Sequence, residues 1–414
     1  MRASRSKLEA SVRSHTDDDC STERQTGRVR GSSSPFHLVV AGGGFAAAEL
    51  LLALRALAEE RVTLEMVTPS PALVFKPAAT GDPFGGSRVQ EYDLRQLADE
   101  VGATFRRDAV EAVASRAARL RLASGATVRY DGLVLATGAR SRAAVPGATT
   151  YRDHRDSAAI AQVLADLRAG SIDSVVFTVP AGVTWTLPLY ELALLTAREI
   201  DHHELSARVS LVTPERAPLE VFGPTVSAAV SSLLRSRGVH LEHSTHARSV
   251  SRTGLELACG ATVPADRVIA MPRLTGRRLS GVPADWSGFV ATDDRGRVEE
   301  LQDVFAAGDM TRFPVKQGGL ATQQADVIAV ELARRAGADL PQIPVRHFLR
   351  TELLGPDGPL FLHVELDGQG RPATGGNEPP LSTEAPWWPA AKLFGRYLSP
   401  WIAARGRPLV DGRA

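Results

Sequence analysis

Cysteine is almost absent from this chain of 414 residues, which has only Cys20 and Cys259. No disulfide framework and no CxxC or CxxxxC redox pair can be built from two such distant thiols, so a reducing, cytoplasmic setting is expected. Lysine is nearly as scarce. It occurs only as Lys7, Lys76, Lys316 and Lys392, and arginine supplies the rest of the positive charge. The net charge of +1 lacks the basic excess of a nucleic-acid binder, so no nucleic-acid partner is expected. No apolar run approaches the roughly 18–20 residues of a membrane-spanning helix, and the N-terminus carries no hydrophobic signal segment. A metal site is not assigned either. His240, His243 and His246 lie in a strand-like stretch, where three-residue spacing scatters the rings over both faces.

What is present is a regular alternation. Residues 1–34 are polar, cannot bury enough surface to offset their ordering entropy, and are read as a disordered tail outside the fold. From Phe36 onward, strand patterns at 36–41, 62–67, 132–136, 174–179, 208–213 and 302–307 interleave with Ala- and Leu-rich helical patterns such as 46–59 and 156–168. Strands alternating with helices indicate an α/β fold with parallel sheets. From about residue 338 the composition turns to Pro, Gly and aromatics, which suggests a C-terminal appendage.

The stretch "HLVVAGGGFAAAEL" places Gly42-Gly43-Gly44-Phe45-Ala46-Ala47 between a strand and a helix. This is GxGxxA, a permitted form of the dinucleotide fingerprint. Gly42 permits the tight turn, Gly44 lets a pyrophosphate approach the backbone, and small Ala47 allows close helix–strand packing. The helix N-terminus supplies unpaired N–H groups for the phosphates. The acidic ribose ligand usual at the end of the second strand is missing from "VTLEMVTPS", and none is assigned.

Two further stretches follow in order: "YDGLVLATGA", a strand ending in Ala-Thr-Gly, and "DVFAAGDMTRFP", a strand ending in Gly308-Asp309. Together with GxGxxA they resemble the three FAD motifs of the pyridine nucleotide–disulfide oxidoreductase superfamily, over roughly residues 36–335. The resemblance implies FAD as cofactor, with Thr137, Gly138, Gly308 and Asp309 among its contacts. "LVFKPAATGDPFGG" and "PVKQGGLATQQAD" are similar to segments of the branch that holds sulfide:quinone oxidoreductases and type II NADH dehydrogenases. That similarity brings Lys76, Lys316, Gln317 and Gly318 to the flavin, where a cation would stabilise the reduced form. It also implies that Glu191 takes the place of a helix glutamate that relays protons or orients a substrate.

The branch's sulfide chemistry needs redox cysteines, and the folded part holds only Cys259, so that chemistry is not expected. Hydride or electron transfer without a protein thiol is left. NAD(P)H as a substrate would require a second fingerprint in "SVVFTVPAGVTWTLPLYELALL", but of the expected glycines only Gly182 survives. Pro180 and Pro188 remove donors and fix φ, and Trp185 is bulky where a pyrophosphate would lie. Trp185 is open to two readings, stacking on an aromatic ligand or filling a vacated site.

The expected architecture is two Rossmann-like dinucleotide-binding domains. The FAD domain is discontinuous (36–147 and 274–335), with an insertion at 148–273 and a C-terminal segment at 336–414. The expected function is an FAD-dependent oxidoreductase of the NAD(P)H:quinone type, moving electrons between small-molecule donor and acceptor, with Glu191 and Lys316 at the site. Alternatives are an FAD oxidoreductase with another donor, and a flavin-binding module that senses redox state without turnover. The aromatic and basic segment 385–407 suggests an amphipathic contact with the inner face of the membrane, or packing on the FAD domain or in a homodimer.

Overall fold

The six residues Phe36–Ala41 run through the middle of a five-stranded sheet. In spatial order its strands are Val304–Ala306, Gly132–Leu135, Phe36–Ala41, Val62–Val67 and Ala103–Arg106. Every pairing in it is parallel. A parallel sheet is covered on both faces, which explains why Leu38, Val39, Val40 and Ala41 are all fully buried. The computed structural model describes residues 35–86, 89–355, 358–373, 380–389 and 392–405. The tail reading of 1–34 lies outside the described residues.

Among the described residues are seven α-helices: α1 Phe45–Ala58, α2 Leu94–Glu100, α3 Ser157–Arg168, α4 Leu187–His202, α5 Pro224–Ser236, α6 Gly318–Arg335 and α7 Leu398–Ala403. Helices α1 and α6 cover the first sheet, and Leu50, Leu54, Ile328 and Leu332 join Leu38 and Val40 in one core. A second five-stranded sheet has the order Thr149–Thr150, Arg267–Ala270, Ser174–Thr178, Arg208–Val212 and His240–Glu242, again parallel throughout. The chain is thus an α/β protein with two Rossmann-like sheets, as the alternation of its elements indicates.

Two three-stranded antiparallel sheets lie outside the α/β alternation. One is Val110–Ala114, Arg119–Leu122 and Thr127–Arg129; the other is Ala247–Ser251, Gly254–Leu257 and Thr262–Pro264. Cys259 is exposed, in the turn of the latter. The C-terminal strands His347–Gly355 and Gly358–Leu366 pair antiparallel. Their Leu349, Leu353 and Leu362 share a core with Leu189 and Tyr190 of α4, so this part packs on the second sheet's helices rather than standing apart.

Segment 385–407 is divided. Leu398, Trp401 and Ile402 are buried in the core under the first sheet, and each such side chain contributes about 1.5–3 kcal/mol on leaving water. The Trp401 indole N–H donates to Glu100 at 2.7 Å and its ring meets Tyr92 edge-on at 5.7 Å. Buried Glu49 of α1 accepts the backbone N–H groups of Tyr397 and Leu398 at 2.8 and 2.7 Å, capping α7. These side chains are therefore withdrawn from any membrane or partner, because α1 and α2 already occupy their apolar face. Trp388, 77% exposed, is not. Among the described residues no helix is long and apolar enough to cross a membrane.

Beside Glu49, burial and the facing carboxylate push Asp326 up to about 9. The folded state binds this proton more tightly than the unfolded chain does, so stability is full below the ordinary value of 3.8 and falls as pH rises through about 9. Asp326→Asn is expected to flatten thermal melting against pH over the alkaline part of that window. An unchanged alkaline slope would show that the carboxyl does not hold the proton.

Candidate functional site

A single cleft of about 1350 Å³ opens where the strand ends of both sheets face each other. The carboxyl ends of parallel strands are the usual ligand position in such folds. Its walls include Gly42 to Ala46, Thr137 and Gly138, Gly308 and Asp309, Lys316 to Gly318, and the loop Gly182 to Trp185 with Pro188 and Glu191. Of the candidate residues only Ala47 lies off the wall. It is fully buried, which fits its packing role rather than ligand contact.

The first turn is built as the fingerprint requires. Gly42 has φ +151°, and a Cβ there would lie 2.1 Å from the carbonyl oxygen of Ala136, the residue that opens the Ala-Thr-Gly stretch. The two motifs thus touch backbone to backbone. Gly44 precedes α1, has no side-chain cap, and a Cβ on it would meet nothing within 4 Å. The first N–H groups of α1 therefore face open cleft, where an anionic group can take them. Gly318 is the close-approach glycine of the third wall; a Cβ would come within 2.3 Å of Leu393.

Asp309 accepts no hydrogen bond among the described residues and is half-buried in the wall. Burial pushes its pKa up, against the charges of Lys316 and Lys76. A carboxylate so placed needs hydroxyl donors from a ligand. Lys316 is held by the Thr311 carbonyl and stands 3.9 Å over the Phe289 ring. Burial brings it down to about 8, against Asp309 and Asp285. Lys76 pairs with Asp153 at 3.3 Å; Arg155 grips the same carboxylate at 2.7 Å. Gln317 caps α6 through its side chain, accepting from Leu320 N–H at 2.9 Å, and donates to the Arg350 carbonyl at 3.2 Å.

Glu191 is 1% exposed on the first turns of α4. Its carboxylate accepts from Thr80 Oγ1 at 2.6 Å, from Lys392 Nζ at 2.7 Å and from the Leu354 N–H at 2.9 Å. Lys392 comes from the C-terminal segment and is 6% exposed. The ion pair therefore ties three distant parts of the chain together at the cleft wall. Sequence reasoning missed Lys392 and Thr80 as site residues; the rarity of lysine was the one available signal.

The loop after the strand Ser174–Thr178 is filled from within. The half-buried ring of Trp185 lies 6.2 Å from that of Phe222. Thr184 Oγ1 donates to the Pro314 carbonyl at 2.6 Å, joining the loop to the segment before Lys316. Beyond the neighbouring strand, buried Glu215 accepts from Thr186 Oγ1 at 3.0 Å, Tyr190 OH at 2.7 Å and Thr213 Oγ1 at 2.8 Å. An acidic residue just past a second Rossmann strand is where a ribose would be read, but here internal hydroxyls take its oxygens. The three histidines of the weaker constellation do not converge: His240 pairs with Glu242 at 2.8 Å and His243 with Ser244 at 3.3 Å.

A family model described as pyridine nucleotide-disulphide oxidoreductase matches residues 36–327. The chain belongs to that family. It is 29% identical over 258 residues to the ferredoxin–NAD(+) reductase component of the biphenyl dioxygenase system of Paraburkholderia xenovorans (strain LB400), covering 57% of this chain and 58% of that protein. The chain thus spans less than two thirds of that relative. It is 28% identical over 303 residues to an NADH dehydrogenase-like protein of Mycobacterium tuberculosis (strain CDC 1551 / Oshkosh), covering 66% of this chain and 72% of the relative. In fold it resembles the sulfide:quinone oxidoreductase from Aquifex aeolicus, with a TM-score of 0.70 at 19% identity, covering 80% and 83% of the two chains.

The three motifs on this cleft point to FAD as the group it holds. The cleft fits that cofactor on independent grounds, because the Gly44 face, the uncapped start of α1 and the unpartnered Asp309 carboxylate are what a pyrophosphate and a polyol chain require.

Proposed function

We propose that the chain passes two reducing equivalents from NAD(P)H to a quinone-type acceptor through FAD. The observation that carries this reading is the convergence on one cleft of the first fingerprint, Lys316, the Glu191–Lys392 pair and the loop at 182–188. FAD supplies two-electron exchange at flavin N5. In this reading the turn Gly42 to Ala46 holds the pyrophosphate, with Thr137, Gly138 and Gly308 beside it, and Asp309 accepts hydroxyls. Lys316, with Lys76, offsets negative charge that grows on reduction, and loses that ability as pH rises through about 8. Glu191 holds Lys392 at the wall, where an ammonium can give a proton to a carbonyl oxygen.

A second reading, with a donor other than NAD(P)H, is favoured by one specific arrangement: Trp185 packed on Phe222 and Glu215 satisfied by three hydroxyls. Anaerobic mixing of the holoenzyme with NADH, NADPH or sulfide separates the two. Rapid bleaching by a pyridine nucleotide, reoxidised by a short-chain quinone or a ferredoxin, supports the first reading and identifies the acceptor. Bleaching by another donor alone supports the second. No bleaching by any donor at full FAD occupancy would make the protein a redox-sensing module. Trp185→Gly is expected to tighten NADH binding by roughly tenfold, the size of one displaced hydrophobic contact of about 1.4 kcal/mol; unchanged binding would place the nucleotide elsewhere.

A further inference from the structure

Within electrostatic reach of the Glu191–Lys392 pair stands Glu352, in the middle of the strand His347–Gly355. It is fully buried, and among the described residues neither carboxyl oxygen has a hydrogen-bond partner. The charged groups that act on it are Lys392 and Glu191.

Counting donors shows which carboxyl keeps its proton. The Lys392 ammonium has three N–H donors, and three acceptors surround it: the Pro77 carbonyl at 3.1 Å, Thr80 Oγ1 at 3.2 Å and Glu191 at 2.7 Å. None is left for Glu352. Glu191 accepts three hydrogen bonds and is the anion that balances Lys392. A second carboxylate beside them would be buried, unpaired and unsolvated, at a cost that protonation removes. Burial brings Glu352 up to about 7, which puts release of that proton within physiological reach.

We propose that Glu352 is a proton store for the cleft, emptied through Lys392 during turnover. Lys392, Glu191, Thr80 and Thr351 line the cleft, and Glu352 is off its wall, out of contact with any ligand. It acts through Lys392, and this part of the inference rests on the quinone reading. The acceptor gains a hydride in the proposed electron transfer and one proton from Lys392, so two carbonyls become two hydroxyls. The N–H that Thr80 holds at 3.2 Å turns to the acceptor, and that N–H bond breaks as the acceptor's O–H forms. The Glu352 O–H then breaks to restore the ammonium, and the resulting carboxylate takes a proton from water.

Difference infrared spectroscopy of the holoenzyme tests the store without any donor. The C=O band of a protonated carboxyl is expected to titrate away as pH rises through about 7, and to be missing in Glu352→Gln. After chemical reduction, reoxidation by a short-chain quinone should slow in the wild type above that pH. In Glu352→Gln it should be roughly tenfold slower and lack the fall near 7, keeping only the change that Lys316 brings near 8. Glu352→Leu should also lack the band yet melt at a higher temperature, because an unpartnered buried carboxyl is gone. A band and pH profile unchanged by Glu352→Gln overturn the proposal, as does a lower melting temperature with both variants and no change in pH profile. A band lost in the variant, with no quinone reoxidising either protein, upholds the store and removes only the acceptor.

Discussion

Gly42→Ala is expected to give a protein without bound FAD and with a large part of its stability lost, whereas Gly44→Ala should fold normally and lose only affinity for FAD. The two glycines are two residues apart and share a motif, but their surroundings differ. A methyl group on Gly42 would lie 2.1 Å from the Ala136 carbonyl oxygen, at a φ of +151° that L side chains rarely adopt. Backbone strain of about 1–3 kcal/mol adds to an overpacking cost of about 1–3 kcal/mol, against a total stability on the order of 5–15 kcal/mol. Relief would require parting the first strand from the Ala-Thr-Gly stretch, which is the centre of the sheet. Gly44 has φ −99° and ψ −170°, ordinary for alanine, and open space in front of it. Its methyl would stand over the first N–H groups of α1, where the phosphates need to come close. A loss of at least about tenfold in FAD affinity, about 1.4 kcal/mol, is expected, with the apoprotein melting as the wild type does. Flavin titration of both apoproteins and their melting curves decide it. Equal loss of stability in the two variants would mean that the Gly44 face is not open.

The same contrast explains what could be read beforehand. A turn, its strand and its helix are contiguous, so the fingerprint, the Ala-Thr-Gly strand and Gly308-Asp309 were legible as short patterns. The strands Phe36–Ala41 and Val62–Val67 fall where hydrophobic runs put them. The antiparallel sheets were hard to read because their three- to five-residue strands are half-exposed and too short to show a period. The wall around Glu191 was legible only in part. Glu191 itself was suggested by family resemblance, but its partner lies 201 residues away, in a segment whose tryptophans and arginines read as an amphipathic surface. Glu352 gives no signal in "HFLRTELLG", since alternation alone places a glutamate there on a polar face. It is buried because the segment carrying Lys392 and Phe394 folds back over that strand. Trp185 was recognised as foreign to a phosphate cradle, but its contact with Phe222 and the sequestering of Glu215 depend on long-range packing.

Removing the cation from the cleft wall should have the largest energetic effect of any single polar substitution. Lys392→Met fills much of the same volume and leaves Glu191 buried, with one strong donor missing and no counter-charge. Breaking a buried pair from one side costs about 3–5 kcal/mol. Glu352 adds to the penalty whenever it ionises, because Lys392 is the positive charge that acts on it. The loss should therefore be greatest at alkaline pH and shrink as the solution is acidified through about 7, where Glu352 takes up its proton. Glu191→Gln retains a group that Thr80 and the Leu354 N–H can bond. Combined with Lys392→Met it leaves no unpaired charge in the pair, so the double variant should be more stable than Lys392→Met alone. The coupling between the sites should then be well above the few tenths of a kcal/mol by which independent sites deviate from additivity. Urea unfolding of the four proteins at two pH values measures it. Additive effects would mean that water reaches Glu191 once Lys392 is gone, and the ion pair would then be a solvated contact rather than a buried one. Because the pair joins α4, the loop that carries Thr80 and the C-terminal segment at the cleft wall, its rupture should also loosen the wall that an acceptor would face. Acceptor turnover should then fall further than the change in stability alone accounts for.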